Sequence, residues 1–122
     1  MDTSHIIALV MDEWQAGIDS HDPKRVSAVF AEDAVFQGLR PYGVGRAAVA
    51  EYYGSQPVGM TVTYRVRESR RLADGVVLGY LTANFGYPDR PAVELSIGVV
   101  LVRGGARWQV AHYQASRQSI PQ

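Results

Sequence analysis

Apolar positions recur at three and four along the first part of the chain and alternate along its second half. Ile7, Val10, Met11, Trp14 and Ile18 fall on one side of a helix, with Thr3 or Ser4 placed to cap it. Asp22-Pro23 restarts the chain, Asp22 as N-cap and Pro23 at the first helical position, where its missing N–H is harmless. Val26, Val29 and Phe30 then form the buried side of a short second helix, and Ala34-Val35-Phe36 reads as a brief strand. Gly45 opens a third helix through Ala48, Val49 and Tyr52, ending near Gly54. Beyond Pro57, residues 61–72, 76–87, 93–103 and 107–116 are rich in Val, Thr, Tyr and Leu. Turn signals at Asp74-Gly75, Pro88–Pro91 and Gly104-Gly105 separate them. Connections this short predict an antiparallel meander. Helices first and strands later give an α+β pattern, with the helices against one face of a curved sheet.

Strand 93–103 has two distinct faces. One is Val93, Leu95, Ile97, Val99 and Leu101; the other is Glu94, Ser96, Gly98, Val100 and Val102. If the small-residue face looks at the helices, Ser96 and Gly98 leave a hole. The apolar row then needs another cover, and a second copy of the chain is the simplest one. A homodimer through the apolar sheet face is the resulting expectation.

Composition narrows the function classes. The 122 residues predict one domain, 1–122, large enough to bury a core. Twelve basic and twelve acidic residues cancel, so no overall field draws nucleic acid or an anionic membrane. The absence of cysteine removes disulfides, thiolate nucleophiles and Cys-based metal sites. Asp2, Asp12 and Glu13 interrupt what would be the apolar run of a signal peptide. No apolar run approaches the roughly 18 residues that span a membrane. A cytoplasmic protein without cofactor or metal is expected.

The segments "DSHDPKRVSAVFAEDAVFQG", "VGRAAVAEYY" and the closing "RWQVAHYQASR" resemble the nuclear-transport-factor-2-like superfamily, which includes ketosteroid isomerases and SnoaL-like polyketide cyclases. The resemblance covers nearly the whole chain. It implies a cone: three N-terminal helices packed on a curved, mostly antiparallel sheet that encloses a pocket. It also implies small organic ligands, often of secondary metabolism, on a fold that hosts many unrelated activities. The steroid isomerase pattern places an oxyanion-hole tyrosine where Trp14 stands, a general-base aspartate at Gly38, and a protonated aspartate at Gly98. With both carboxylates missing, the two-aspartate mechanism is excluded.

The remaining candidates have polar tips on the expected inner surface. His112 shares a face with Trp108, Val110, Gln114 and Ser116, and an imidazole there is suited to general base work near neutrality. It is equally a core histidine with a satisfied partner. If the opposite face turns inward, Tyr113 takes its place. Glu94, beside Ser96, is either a displaced base with its pKa raised by burial or a solvated strand end. Tyr53, Tyr64, Tyr80 and Tyr87 are placed to orient an oxygenated ligand, or simply to pack. Trp14, Leu81 and Phe85 supply apolar wall, with Phe36, Gly38, Ser96 and Gly98 completing the expected lining.

Other motifs carry less. "GVGRAAVAEYY" (43–53) fits a dinucleotide fingerprint in letters, but no strand of a parallel βαβ unit precedes it. Arg65, Arg67, Arg70 and Arg71 alternate with Glu68 as a solvated edge does. His5, His21 and His112 lie too far apart in sequence to suggest a metal site. Three functions fit: a cofactor-independent isomerase, cyclase or hydrolase; a non-catalytic binder or carrier of the same ligand class; and a homodimeric association module.

Overall fold

A computed structural model describes residues 2–117. Helix α1 spans Thr3–Asp19 and buries Ile6, Ile7, Val10, Met11, Trp14 and Ile18 on one side. Its cap is Asp2, one residue earlier than expected, whose carboxylate accepts from the Ser4 backbone N–H at 3.0 Å. Helix α2, Pro23–Ser27, is capped by Asp22, which accepts from the Arg25 N–H at 3.1 Å.

Val29 and Phe30 do not continue that helix. Phe30 begins strand β1, Phe30–Gln37, longer than the expected three residues. The Val29 carbonyl accepts from the Val110 N–H at 2.9 Å. Backbone groups that pair across the fold override the local helical pattern here. A two-residue strand β2, Gly43–Val44, pairs antiparallel with β1. Helix α3 follows over Arg46–Gly54. The long strands are β3 (Thr61–Ala73), β4 (Val76–Gly86), β5 (Val93–Gly104) and β6 (Arg107–Arg117). Gly75 and Gly105 make the two tight turns with φ of 75° and 63°, a region that penalises any side chain.

The sheet order is β2-β1-β6-β5-β4-β3, antiparallel throughout except where β1 runs parallel to β6. Helix α1 lies across β3, β4 and β6. The face it covers overturns the expected phase. A Cβ placed on Gly79 would meet Ile7 Cδ1 at 2.9 Å and Val99 Cγ2 at 3.0 Å, so Val99 and α1 share one face. Leu95, Ile97, Val99 and Leu101 are all buried within the chain's own core. No second copy is needed to cover the apolar row. Burying each such side chain is worth about 1.5–3 kcal/mol, far more than any gain from turning Ser96 and Gly98 inward. The small-residue face is the outer one.

Candidate functional site

With the apolar row inward, the cone holds a cavity of about 230 Å³ between α3, the loop after β1, and the ends of β4, β5 and β6. Phe85, Val93, Leu95 and Ala115 form its sheet wall, and Met60 and Leu39 close the sides. Its polar lining residues are Tyr52, Tyr53, Tyr87, Tyr113, Gln56 and Arg40. Among the described residues, no carboxylate or imidazole lines it.

Tyr53 and Tyr113 are the buried pair. The Trp14 indole Nε1–H donates to the Tyr53 hydroxyl at 3.0 Å. The Tyr113 phenol lies close enough to influence Tyr53, lowering its pKa while Tyr53 raises that of Tyr113. Phe36 stacks on Tyr113 with centroids 4.8 Å apart, and Trp14 meets Phe85 edge-on at 6.0 Å. These rings fix the two phenols from several sides. Burial drives both pKa values well above the ordinary phenol value, outweighing for Tyr53 the opposing influence of Tyr113 and Trp14. Nearer the mouth, burial raises Tyr87 too, with Tyr52 adding to it and Arg90 and Arg117 opposing it. At neutral pH these phenols are hydrogen-bond donors, not bases.

Gly38 serves this arrangement differently from what the sequence suggests. A Cβ there would come within 2.3 Å of the Tyr52 ring. The glycine admits Tyr52 against the end of β1, and the Leu39 N–H donates to the Tyr52 hydroxyl at 3.3 Å. It makes room for a side chain rather than for a ligand.

A profile describing the SnoaL-like domain matches residues 7–121. The chain belongs to the SnoaL-like family. No curated protein matches the sequence. Among solved structures, a domain of unknown function with a cystatin-like fold from Nostoc punctiforme superposes with a TM-score of 0.84 at 15% identity, covering 97% of this chain and 78% of that one. A candidate calcium/calmodulin-dependent protein kinase II association domain from Xanthomonas campestris gives 0.82 at 16% identity, covering 97% and 89%. A ketosteroid isomerase-like protein from Erwinia carotovora gives 0.76 at 19% identity, covering 95% and 96%. At these identities the likeness establishes the fold, a nuclear-transport-factor-2-like cone, and leaves activity to the site.

Within this SnoaL-like cone, Tyr53, Phe85, Tyr87 and Tyr113 lie on the cavity wall. Trp14 and Leu81 are fully buried in the core behind it. Phe36 is buried against Tyr113. Tyr64 instead turns toward α1, where its hydroxyl bonds the Asp12 carboxylate.

The other expected residues are on the wrong side of the sheet for this cavity. His112, Ser96 and Gly98 line an open groove on the outer face with Leu78, Tyr80, Gln114 and Ser116. Glu94 lies in a separate outer depression with Thr63, Arg65 and Arg67. Strand alternation makes the inversion complete: once Leu95 and Tyr113 face inward, Glu94, Ser96 and His112 must face out. Expecting His112 and Glu94 at the pocket is therefore corrected.

Sequence reasoning missed Arg40, Tyr52, Gln56 and Met60. Tyr52 and Gln56 stand at or just beyond the end of α3. Arg40 and Met60 are in loops, where no periodicity marks an inward residue. At the glycine-rich opening of α3, Arg46 Nε donates to the Phe30 carbonyl at 2.8 Å, tying helix to strand. No cluster of His, Cys, Asp or Glu able to hold a metal occurs among the described residues.

Proposed function

We propose that this SnoaL-like protein is a non-catalytic binder or carrier of a small, mostly apolar, oxygenated molecule held in the cone. The observation that carries the reading is the paired Tyr53 and Tyr113 hydroxyls, propped by Trp14, in a cavity lined by neither a carboxylate nor an imidazole. Donors without a base suit recognition of a carbonyl or ether oxygen. Proton abstraction needs a base that can reach the substrate. His112 and Glu94 have no part in this reading, because they lie outside the cavity. An isomerase, cyclase or hydrolase on the same cavity would have to work through the donors of its tyrosines, Gln56 and Arg40, without a carboxylate or imidazole base.

Titration with acetophenone, followed by amide chemical shifts, tests the site. Shifts should concentrate at Tyr53, Phe85, Leu95 and Tyr113. Shifts confined to Gly98 and His112, or none at millimolar ligand, would defeat the assignment.

A second reading concerns self-association. Tyr80, 41% exposed, stands with Leu78 and Val100 over the outer groove, and a formal net charge of zero does little to keep copies apart. The Xanthomonas campestris relative is described as an association domain. We assign the homodimer contact to this outer face. Light scattering of the wild type and of Tyr80→Glu decides it: a monomeric wild type removes the reading.

A further inference from the structure

The mouth of the cavity differs chemically from its interior, and Arg40 makes the difference. Arg40 lines the cavity, and its guanidinium carbon sits 5.8 Å from the centre of the Tyr52 ring. Its Nη1 donates to the Ser55 hydroxyl at 3.1 Å. Ser55 in turn donates to the Tyr52 carbonyl at 2.7 Å, so the group that orients Arg40 is itself fixed to the end of α3. One of the five guanidinium N–H donors is thus used, and the others remain available.

No carboxylate among the described residues is ion-paired with Arg40. Glu51 borders the neighbouring shallow depression with Arg40, yet forms no ion pair with it. Two other cations act on Tyr87 near the mouth, Arg90 and Arg117. Arg90 is already matched: it lies 5.1 Å from the Tyr87 ring centre and pairs with Asp89 at 3.2 Å. An oriented guanidinium without a counter-charge, at the rim of a cavity lacking carboxylates, is a receptor for an anion.

Size narrows the class further. The 230 Å³ cavity is smaller than the roughly 300–1,000 Å³ of sites for drug-sized molecules. It is larger than the approximately 150 Å³ that holds benzene. A single ring with a short substituent is the fitting scale.

Building on the pocket reading above, we propose that the ligand is a small aromatic or alicyclic carboxylic acid. Its ring packs on Phe85, Leu95 and Tyr113, and its carboxylate is held by Arg40 at the mouth.

The test uses two probes of the same shape, 3-phenylpropanoate and 3-phenylpropanamide, titrated calorimetrically into the wild type, Arg40→Gln and Arg90→Gln. Circular dichroism checks that each variant is folded. The carboxylate should bind at least about tenfold tighter than the amide, the scale of one charge-assisted hydrogen bond. Arg40→Gln should bring the two within roughly twofold, while Arg90→Gln keeps the preference. Equal binding of both probes to the wild type, or a preference that survives Arg40→Gln, overturns the anion assignment and leaves the pocket reading intact. Failure of both probes to bind overturns it as well. The acetophenone shifts then show whether the pocket reading falls with it.

Discussion

Trp14, on the first helix, donates its indole N–H to the hydroxyl of Tyr53, on the third, at 3.0 Å and out of contact with solvent. This bond joins the core to the cavity. It satisfies a buried donor that would otherwise lack a partner, and it fixes the Tyr53 side chain that lines the cavity.

Tyr53→Phe should therefore act twice. Leaving the Trp14 N–H unpaired costs about 1–3 kcal/mol of stability, readable as a lower urea midpoint. Affinity for acetophenone should fall by about tenfold if a hydrogen bond to the ligand goes with it. A variant as stable and as retentive as the wild type would show that the hydroxyl serves neither end.

Gly38→Ala should be destabilising by about 1–3 kcal/mol, because the added methyl overlaps the Tyr52 ring. The nearest atoms in the clash all belong to Tyr52, so Tyr52→Ala should relieve it. A double-mutant cycle by chemical denaturation should show the two effects far from additive.

The buried phenols predict the alkaline limb of stability. Tyr53 and Tyr113 have folded-state pKa values raised by burial above the ordinary value of 10.0. Their contribution is fully present below that value and is lost as pH rises through the folded pKa, because the unfolded chain releases the protons first. Tyr53→Phe should flatten the fall in stability above about pH 10. Binding of a neutral probe such as acetophenone should be level between about pH 6 and 9, since the donors keep their protons.

The acid limb has a different source. The Glu13 carboxylate is held below its ordinary range by its hydrogen bond from Arg25, at 2.6 Å. A depressed pKa contributes stability above the unfolded value of 4.5, lost as pH falls below it. Both groups are well exposed, so the effect is small and screened by salt. Arg25→Gln should reduce the slope of stability against pH below about 4.5 at low ionic strength and change little at high.

What the sequence disclosed, and what it withheld, follows from the range of the forces involved. The first helix, the Asp22-Pro23 restart and the long strands were legible because periodicity and caps are local. Strand β2 and the early start of β1 were not, because both depend on partners far along the chain. Alternation divided β5 into Leu95 and Glu94 faces but did not say which looks inward. That single undetermined phase carried His112, Ser96 and Gly98 to the wrong surface and hid Leu95 from the cavity. Arg40 gave no signal at all, since a loop residue is placed by the chain on either side of it.

The parallel pairing of β1 with β6 has a consequence for how the chain comes into being. The β1 residues Val35, Phe36 and Gln37 register against His112, Tyr113 and Gln114, on the strand that follows every other strand of the sheet in sequence. Until that strand arrives, α1 and β1 emerge with apolar faces uncovered, and the Val29 carbonyl waits for the Val110 N–H. Local hairpins β3–β4 and β4–β5 can zip as they are made, but the cone closes only once β6 has joined β1 to β5. A chain cut before Arg107 would leave β1 and β5 without the strand that joins them, and the two halves of the sheet would part.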